Sequence, residues 1–269
     1  MASSADSTLQ RIFILLRART GHDFSQYKQK TIQRRISRRM AVQQIEQIED
    51  YYQYLRHAPL EVNLLIGEFL IGVTEFFRNP EAFETLGQLA LPSLFSARPP
   101  EEPIRVWVPA CASGEEAYSI AMTLAEALPS NPWEIVGSDI STKVLAKAAA
   151  GHYSLARTEG IPNGYMRKYC LKGVRSHAGT FLIAPELRKR TRFYQINLMH
   201  PVDADIGDFD VIFLRNVMIY FDPETKARVV HNLLPRLKQG GHLIIGHSET
   251  LNGITDRVVG VRPTIYRKP

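Results

Sequence analysis

The strongest constraint on the fold lies in the second part of the chain, where apolar β-type runs alternate with helical stretches. The pattern predicts strands over 104–110, 134–138, 209–215 and 241–247, with helices over 114–128, 141–150 and 223–238. Strands separated by helices pair in parallel through right-handed crossovers, which place helices on both faces of one sheet. The expected class is α/β with a mostly parallel, Rossmann-like sheet. A ligand site is then expected outside the carboxyl ends of the strands.

Before this alternation, the chain reads as helical from about Thr8 to about Glu84, and the proline-rich "SARPPEEP" separates that part from the first strand. The domains expected are a helical one over 1–84, a linker over 85–103 and a sheet domain over 104–269. The rhythm breaks over 153–195, where a helix near 163–171 and short apolar runs between Gly-rich turns predict a small inserted antiparallel β subdomain. In the helical part, "YKQKTIQRRISRRM" sets Ile32, Ile36 and Met40 on one stripe, with Arg34, Arg35, Arg38 and Arg39 across the flank and opposite side. No acidic residue lies between Asp23 and Glu46, so the local sequence offers these arginines no compensating charge. They form either a solvated face or a docking face. The net charge of +6 implies an acidic partner without choosing its kind.

No apolar run approaches the roughly 20 residues that cross a bilayer, and "MASSADSTLQRIF" lacks the basic start and apolar core of a leader. A cytoplasmic protein without membrane insertion is expected. The two cysteines, Cys111 and Cys170, have no His or Cys at metal-ligand spacing, so no metal site is expected.

The first strand of the sheet runs into the turn "ACASGEEAYS", which has one glycine, Gly114, followed by Glu115 and Glu116. A phosphate cradle needs glycines and open N–H groups. Carboxylates there would repel the phosphates of a nucleotide but suit S-adenosylmethionine, which has no phosphate and carries an ammonium and a sulfonium. The same glutamates also complement the N-terminal end of the following helix. The second strand ends at Asp139, placed either to accept from ribose hydroxyls or to cap a helix. Asn197 and Leu198 in "QINLM" suit an adenine ring, although Asn197 also suits a turn. "FDVIFLRNVMIYF" ends a buried strand at Arg215 and Asn216 and leads to Tyr220.

Taken in order, "TEFFR" at 74–78, "SGEEAYSIAM" at 113–122, "GSDI" at 137–140, "INL" at 196–198, "RNVMIYF" at 215–221 and "GHSE" at 246–249 resemble the motif series of the chemotaxis receptor methyltransferases, the CheR type. The basic helix resembles that family's N-terminal helix, and the likeness covers essentially the whole chain. The resemblance implies an S-adenosylmethionine methyltransferase sheet and methyl-ester formation on glutamates of the acidic helical bundle of methyl-accepting chemotaxis receptors, by a monomer. It places Thr74 and Arg78 beside the methionine part of the cofactor, Glu116 at its amino-acid end, Asp139 at the ribose and Asn197 with Leu198 at the adenine. Arg215, Asn216 and Tyr220 would line the site near the transferable methyl, with Arg78 and Tyr220 serving the reaction. Arg34, Arg35, Arg38 and Arg39 would dock the receptor. Gly72 and Ala117 stand where the family often has Asn and Pro. A nucleic-acid methyltransferase is the rival reading, but Arg215-Asn216-Val217-Met218 lacks the prolines of a base-gripping motif. A cofactor-binding regulatory module is a third.

Overall fold

The computed structural model of the protein describes residues 4–20, 23–69, 74–95, 99 and 101–269, so Gly72 and part of "SARPPEEP" lie outside the described residues. The chain divides into two compact units, one comprising 1–71 with 220–226, the other 72–219 with 227–269.

The first unit is built on helices α1 (Ser4–Thr20), α2 (Gln29–Val42), α3 (Ile48–His57) and α4 (Pro59–Phe69). In α1, Leu9, Ile12, Phe13 and Leu16 recur at helical spacing and so bury as one stripe. They share a core with Ile32 and Ile36 of α2, Tyr51 and Leu55 of α3, and Val62, Leu65 and Phe69 of α4. The returning segment 220–226 joins this unit, with the Lys28 N–H donating to the Tyr220 carbonyl at 2.9 Å. The Tyr27 and Phe221 rings meet edge-on at 5.1 Å.

The arginines of α2 are not the uncompensated run that the local sequence predicts. Arg39 makes a two-pronged contact with Glu61 of α4, at 2.9 Å and 2.7 Å. That carboxylate is 2% exposed and also accepts from Tyr51 and Gln43. Burial alone would raise the Glu61 pKa, but the bonds from Arg39, Tyr51 and Gln43 outweigh it and hold the carboxyl below its ordinary range. Arg35 is buried as well and donates to the carbonyls of Glu68 and Phe69, the second at 3.4 Å. Arg34 and Arg38 are the exposed pair, and Arg38 lies 3.7 Å from Glu68. The compensating groups sit a helix away in sequence, beyond any local window.

The second unit opens with α5 (Glu81–Thr85), a wide π turn (Leu86–Ala90) and α6 (Leu91–Phe95). The sequence assigns these residues to the helical domain and linker, and the structure corrects that. Phe83, Leu86, Ala90 and Leu91 bury into the core of the sheet, and the division falls at 71/72 rather than after Glu84. Then follow β1 (Ile104–Pro109), α7 (Glu115–Ala127), β2 (Trp133–Asp139), α8 (Thr142–Ala150), β3 (His152–Ser154), α9 (Tyr165–Tyr169), β4 (Cys170–Lys172) and β5 (Thr180–Ile183). The chain continues through α10 (Pro185–Lys189), β6 (Thr191–Gln195), β7 (Phe209–Leu214), α11 (Pro223–Leu233), β8 (Leu237–Ile245), β9 (Val259–Arg262) and β10 (Ile265–Arg267).

The main sheet has the order β6-β2-β1-β7-β8-β10-β9. Its first five strands are parallel, and β10 and β9 close one side antiparallel. Buried residues fill all of β7 and nearly all of β1, as expected of central strands covered on both faces. The inserted sheet is β3-β5-β4, antiparallel as predicted. Its predicted extent over 153–195 is too long, because β6 leaves it to pair in parallel with β2. The helix expected over 223–238 stops at Leu233, where Pro235 enters a short 3-10 turn. Strand β8 begins at Leu237, and its Gly240-Gly241 pair falls where the β7–β8 register shifts rather than in a turn.

Candidate active site

The chain leaves β1 toward β2 on one side, while β7 lies on the other, so the order reverses between β1 and β7. The turns that follow β6, β2, β1 and β7 emerge on one edge of the sheet, and a crevice at such a reversal is where α/β sheets bind ligands.

The turn after β1 is held in an unusual backbone state. Ala110, Ala112 and Gly114 all have positive φ, at 54°, 48° and 93°. At Gly114 only glycine fits, because a Cβ would stand 2.8 Å from the Ala148 Cβ and 3.1 Å from the Tyr153 hydroxyl. Three bonds fix the turn. The Cys111 N–H donates to the Ser138 carbonyl at 2.8 Å, the Ala112 N–H to Asp139 Oδ2 at 3.0 Å, and the Tyr153 hydroxyl to the Ser113 carbonyl at 2.7 Å. Glu115 is fully buried, accepts from the Ser113 hydroxyl at 2.8 Å and pairs with Arg157. The sequence reads Glu115 as a helix-end charge. It does open α7, but its carboxylate ties the turn to the inserted subdomain through Arg157.

The next residue faces a different partner. Glu116 pairs with Arg215, whose side chain is 1% exposed. That guanidinium also donates to the Arg78 carbonyl at 2.7 Å and to Asn79 Oδ1 at 3.2 Å, and it lies 5.5 Å from the Phe83 ring center. The segment carrying Arg78 is itself strained, with φ of 52° at Phe77 and 55° at Asn79, and the Phe77 N–H donates to Ser119 Oγ of α7 at 2.9 Å. Burial raises the Glu116 pKa, and the charges of Arg215 and Arg78 oppose that rise. Burial likewise raises the Asp139 pKa against the N–H groups of Ser141 and Ala112, and it raises the Cys111 thiol well above its ordinary range.

The structure therefore brings Arg78, Glu116 and Arg215 into one charge set, with Asp139 joined to the neighbouring turn. Both readings of Asp139 have a physical basis, since it accepts from the Ser141 N–H at 2.9 Å just before α8 as well as from Ala112. Asn197 and Leu198 follow β6. Asn197 Oδ1 accepts from the Met199 N–H at 3.0 Å, and the Leu198 carbonyl accepts from Asn232 at 3.0 Å. Asn216 has φ 59° and is held through its N–H by Glu249. Thr74 is half-buried near the start of the Arg78 segment. Tyr220 groups with the helical unit, its ring 5.9 Å from the Arg35 guanidinium. Tyr153, Arg157 and Glu249 carry the turns and have no role in the sequence reading. "GHSE" was the one signal for Glu249.

The residues present fit S-adenosylmethionine. Glu116, whose side chain is 15% exposed, has a carboxylate of the charge that suits an ammonium, Arg215 has a cation that suits a carboxylate, and Arg215 Nε is buried with no partner among the described residues. The chain matches two family models: the CheR methyltransferase all-alpha domain over residues 7–70 and the CheR methyltransferase SAM binding domain over residues 72–266. The chain belongs to the CheR methyltransferase family. Its two family domains meet where the structure divides, at 71/72. Among CheR relatives, Chemotaxis protein methyltransferase 2 of Pseudomonas aeruginosa is 36% identical over 249 residues, covering 92% of this chain and 88% of that protein. Chemotaxis protein methyltransferase of Salmonella typhimurium is 33% identical over 266 residues, covering 97% and 90%. The cofactor of this CheR chain is S-adenosylmethionine, and its second unit is the domain that binds it.

Proposed function

We propose that the protein methylates glutamate side chains on the acidic helical bundle of chemoreceptors, producing glutamyl methyl esters. The observation that carries this reading is the Glu116–Arg215 pair, with the Arg78 backbone bonded to the same guanidinium, at the β1/β7 reversal of a CheR sheet. When bound, S-adenosylmethionine supplies an electrophilic methyl group for an ionised acceptor. A glutamate, with an ordinary pKa near 4.3, is already ionised at neutral pH, so the protein needs no general base. Its work is to bind, orient and exclude water.

In this reading Glu116 holds the ammonium of the cofactor, while Arg215, Asn216 and Thr74 shape the pocket around its amino-acid portion. Asp139 takes the ribose, and Asn197 with Leu198 the adenine. Arg78 steers the incoming carboxylate, and Tyr220 shapes the path of the methyl. Arg34 and Arg38 dock the receptor, while Arg35 and Arg39 build the helix that presents them. The chain acts as a monomer in the cytoplasm, without nucleic acid or membrane insertion. Among the described residues no helix is long and apolar enough to cross a membrane.

The test is incubation with methyl-labelled S-adenosylmethionine and receptor cytoplasmic fragments, followed by alkali. Release of volatile labelled methanol is expected. Alkali-stable label, or no transfer to any receptor fragment, overturns the reading.

A further inference from the structure

One carboxylate gathers the turns that leave β7 and β8. Glu249 Oε2 accepts from the Gly246 N–H at 2.7 Å and the Asn216 N–H at 3.0 Å. Its Oε1 accepts from the Met218 N–H at 2.8 Å and the Ile219 N–H at 3.3 Å. All four donors lie on the backbone that follows the ends of β7 and β8. Gly246 makes the approach possible, since a Cβ at that position would stand 2.8 Å from Glu249 Oε2 and 3.0 Å from the Asn216 nitrogen. Asn216 is meanwhile held at φ 59°, a state that asparagine tolerates better than most residues.

The geometry points to Glu249 as a positioning residue for the cofactor site, acting through the backbone of Asn216, Met218 and Ile219. Arg215, which pairs with Glu116, immediately precedes this turn, so the direction of its side chain depends on how the turn is fixed. Each carboxylate oxygen accepts two N–H groups. An amide in its place would turn one acceptor into a donor facing two donors, so Glu249→Gln is nearly isosteric yet loses half of the bonds. Aspartate keeps both acceptors but is one methylene shorter, so Glu249→Asp retains part of the set. The inference rests on the reading that the Arg215 end of β7 faces the cofactor, and Arg215→Ala tests that reading separately.

The experiment measures S-adenosylhomocysteine binding by calorimetry, with stoichiometry and melting temperature, for the full-length wild type, Glu249→Gln, Glu249→Asp and Arg215→Ala. Amide exchange at Met218 and Ile219 is followed in parallel. Glu249→Gln is expected to weaken binding on the order of tenfold, about the size of one lost hydrogen bond to a charged group. Stoichiometry should stay near that of wild type, exchange at Met218 and Ile219 should accelerate, and Glu249→Asp should recover part of the affinity. A Glu249→Gln protein that melts lower or binds with reduced stoichiometry, yet keeps wild-type affinity in its folded fraction, overturns the inference. If Arg215→Ala weakens binding and Glu249→Gln does not, the positioning role fails while the site reading stands. If Arg215→Ala also binds normally, the site reading has failed and the inference with it.

Discussion

Gly114 is the point at which the cofactor turn is most sensitive to a single methyl group. Gly114→Ala introduces two separable penalties. An L residue at φ 93° costs about 1–2 kcal/mol. The new Cβ, 2.8 Å from the Ala148 Cβ and 3.1 Å from its Cα, adds an overpacking cost of about 1–3 kcal/mol, because a helix backbone cannot yield as a side chain would. The sum is about 3 kcal/mol, which for a unit of this size lowers the melting temperature by roughly 6–12 °C. Gly179→Ala is the internal control, since its φ of 84° carries the conformational penalty while no atom lies within 4 Å of the new Cβ. Thermal unfolding of both variants, read by far-UV dichroism, separates the two terms. Gly114→Ala should also weaken S-adenosylhomocysteine, because relief of the overlap displaces the turn that Asp139 and Tyr153 hold. Gly114→Ala losing no more stability than Gly179→Ala would refute the argument from close packing.

Glu116→Gln should weaken S-adenosylhomocysteine about tenfold or more while leaving methylthioadenosine, which lacks the amino-acid end, nearly unaffected in calorimetry. Arg78→Ala should reduce receptor methylation by 10²-fold or more with little change in melting temperature, and near-normal turnover removes it from the mechanism. Arg39→Ala leaves the Glu61 carboxylate buried without its cation and should destabilise the helical unit by about 3–5 kcal/mol in denaturant unfolding. Because the Glu61 pKa is depressed in the folded state, its stabilisation is complete above the ordinary carboxyl value and is lost as pH falls through the folded one, so wild type should lose stability below about pH 4 more steeply than Glu61→Gln. Arg34→Glu with Arg38→Glu should weaken receptor methylation at low salt and leave both cofactor affinity and melting temperature in place, and equal methylation at low salt would exclude the docking role.

The sheet was legible because its central strands are buried on both faces and therefore read as continuous apolar runs. β1, β2 and β7 lie within one residue of their predicted bounds at every end. β6 was not legible as a sheet strand, because four of its five residues remain outside the core and "TRFYQ" carries no apolar run. The domain boundary was misplaced for a related reason. Prolines and charges near 99–103 are a strong local signal, whereas the apolar face of α5 and α6 looks the same whichever core it joins. In the site, Glu116, Asp139 and Arg215 could be read from their places at strand ends. Glu249 was flagged by "GHSE" but its role could not be read, because what defines that role is the arrival of four N–H groups from two separate turns, which no spacing in the chain encodes.

The same distinction between local and long-range pairing governs the basic helix. Read along the sequence, four arginines without acids make one electropositive face. In the fold they divide by facing. Arg35 and Arg39 turn toward α4, where carbonyls and Glu61 receive them, and their charge is spent inside the unit. Lys30, Arg34 and Arg38 recur every four residues and are exposed, so they form a stripe along one side of α2. The buried pair fixes how that stripe is presented, since Arg39 is locked to a carboxylate that also accepts from Tyr51 and Gln43 and cannot reorient without leaving a charge in the core. The helix thus couples a rigid, internally neutralised side to an exposed cationic side. An acidic receptor helix would meet a preorganised row of charges rather than a mobile arginine cluster, which lowers the ordering cost of docking and makes the encounter sensitive to salt.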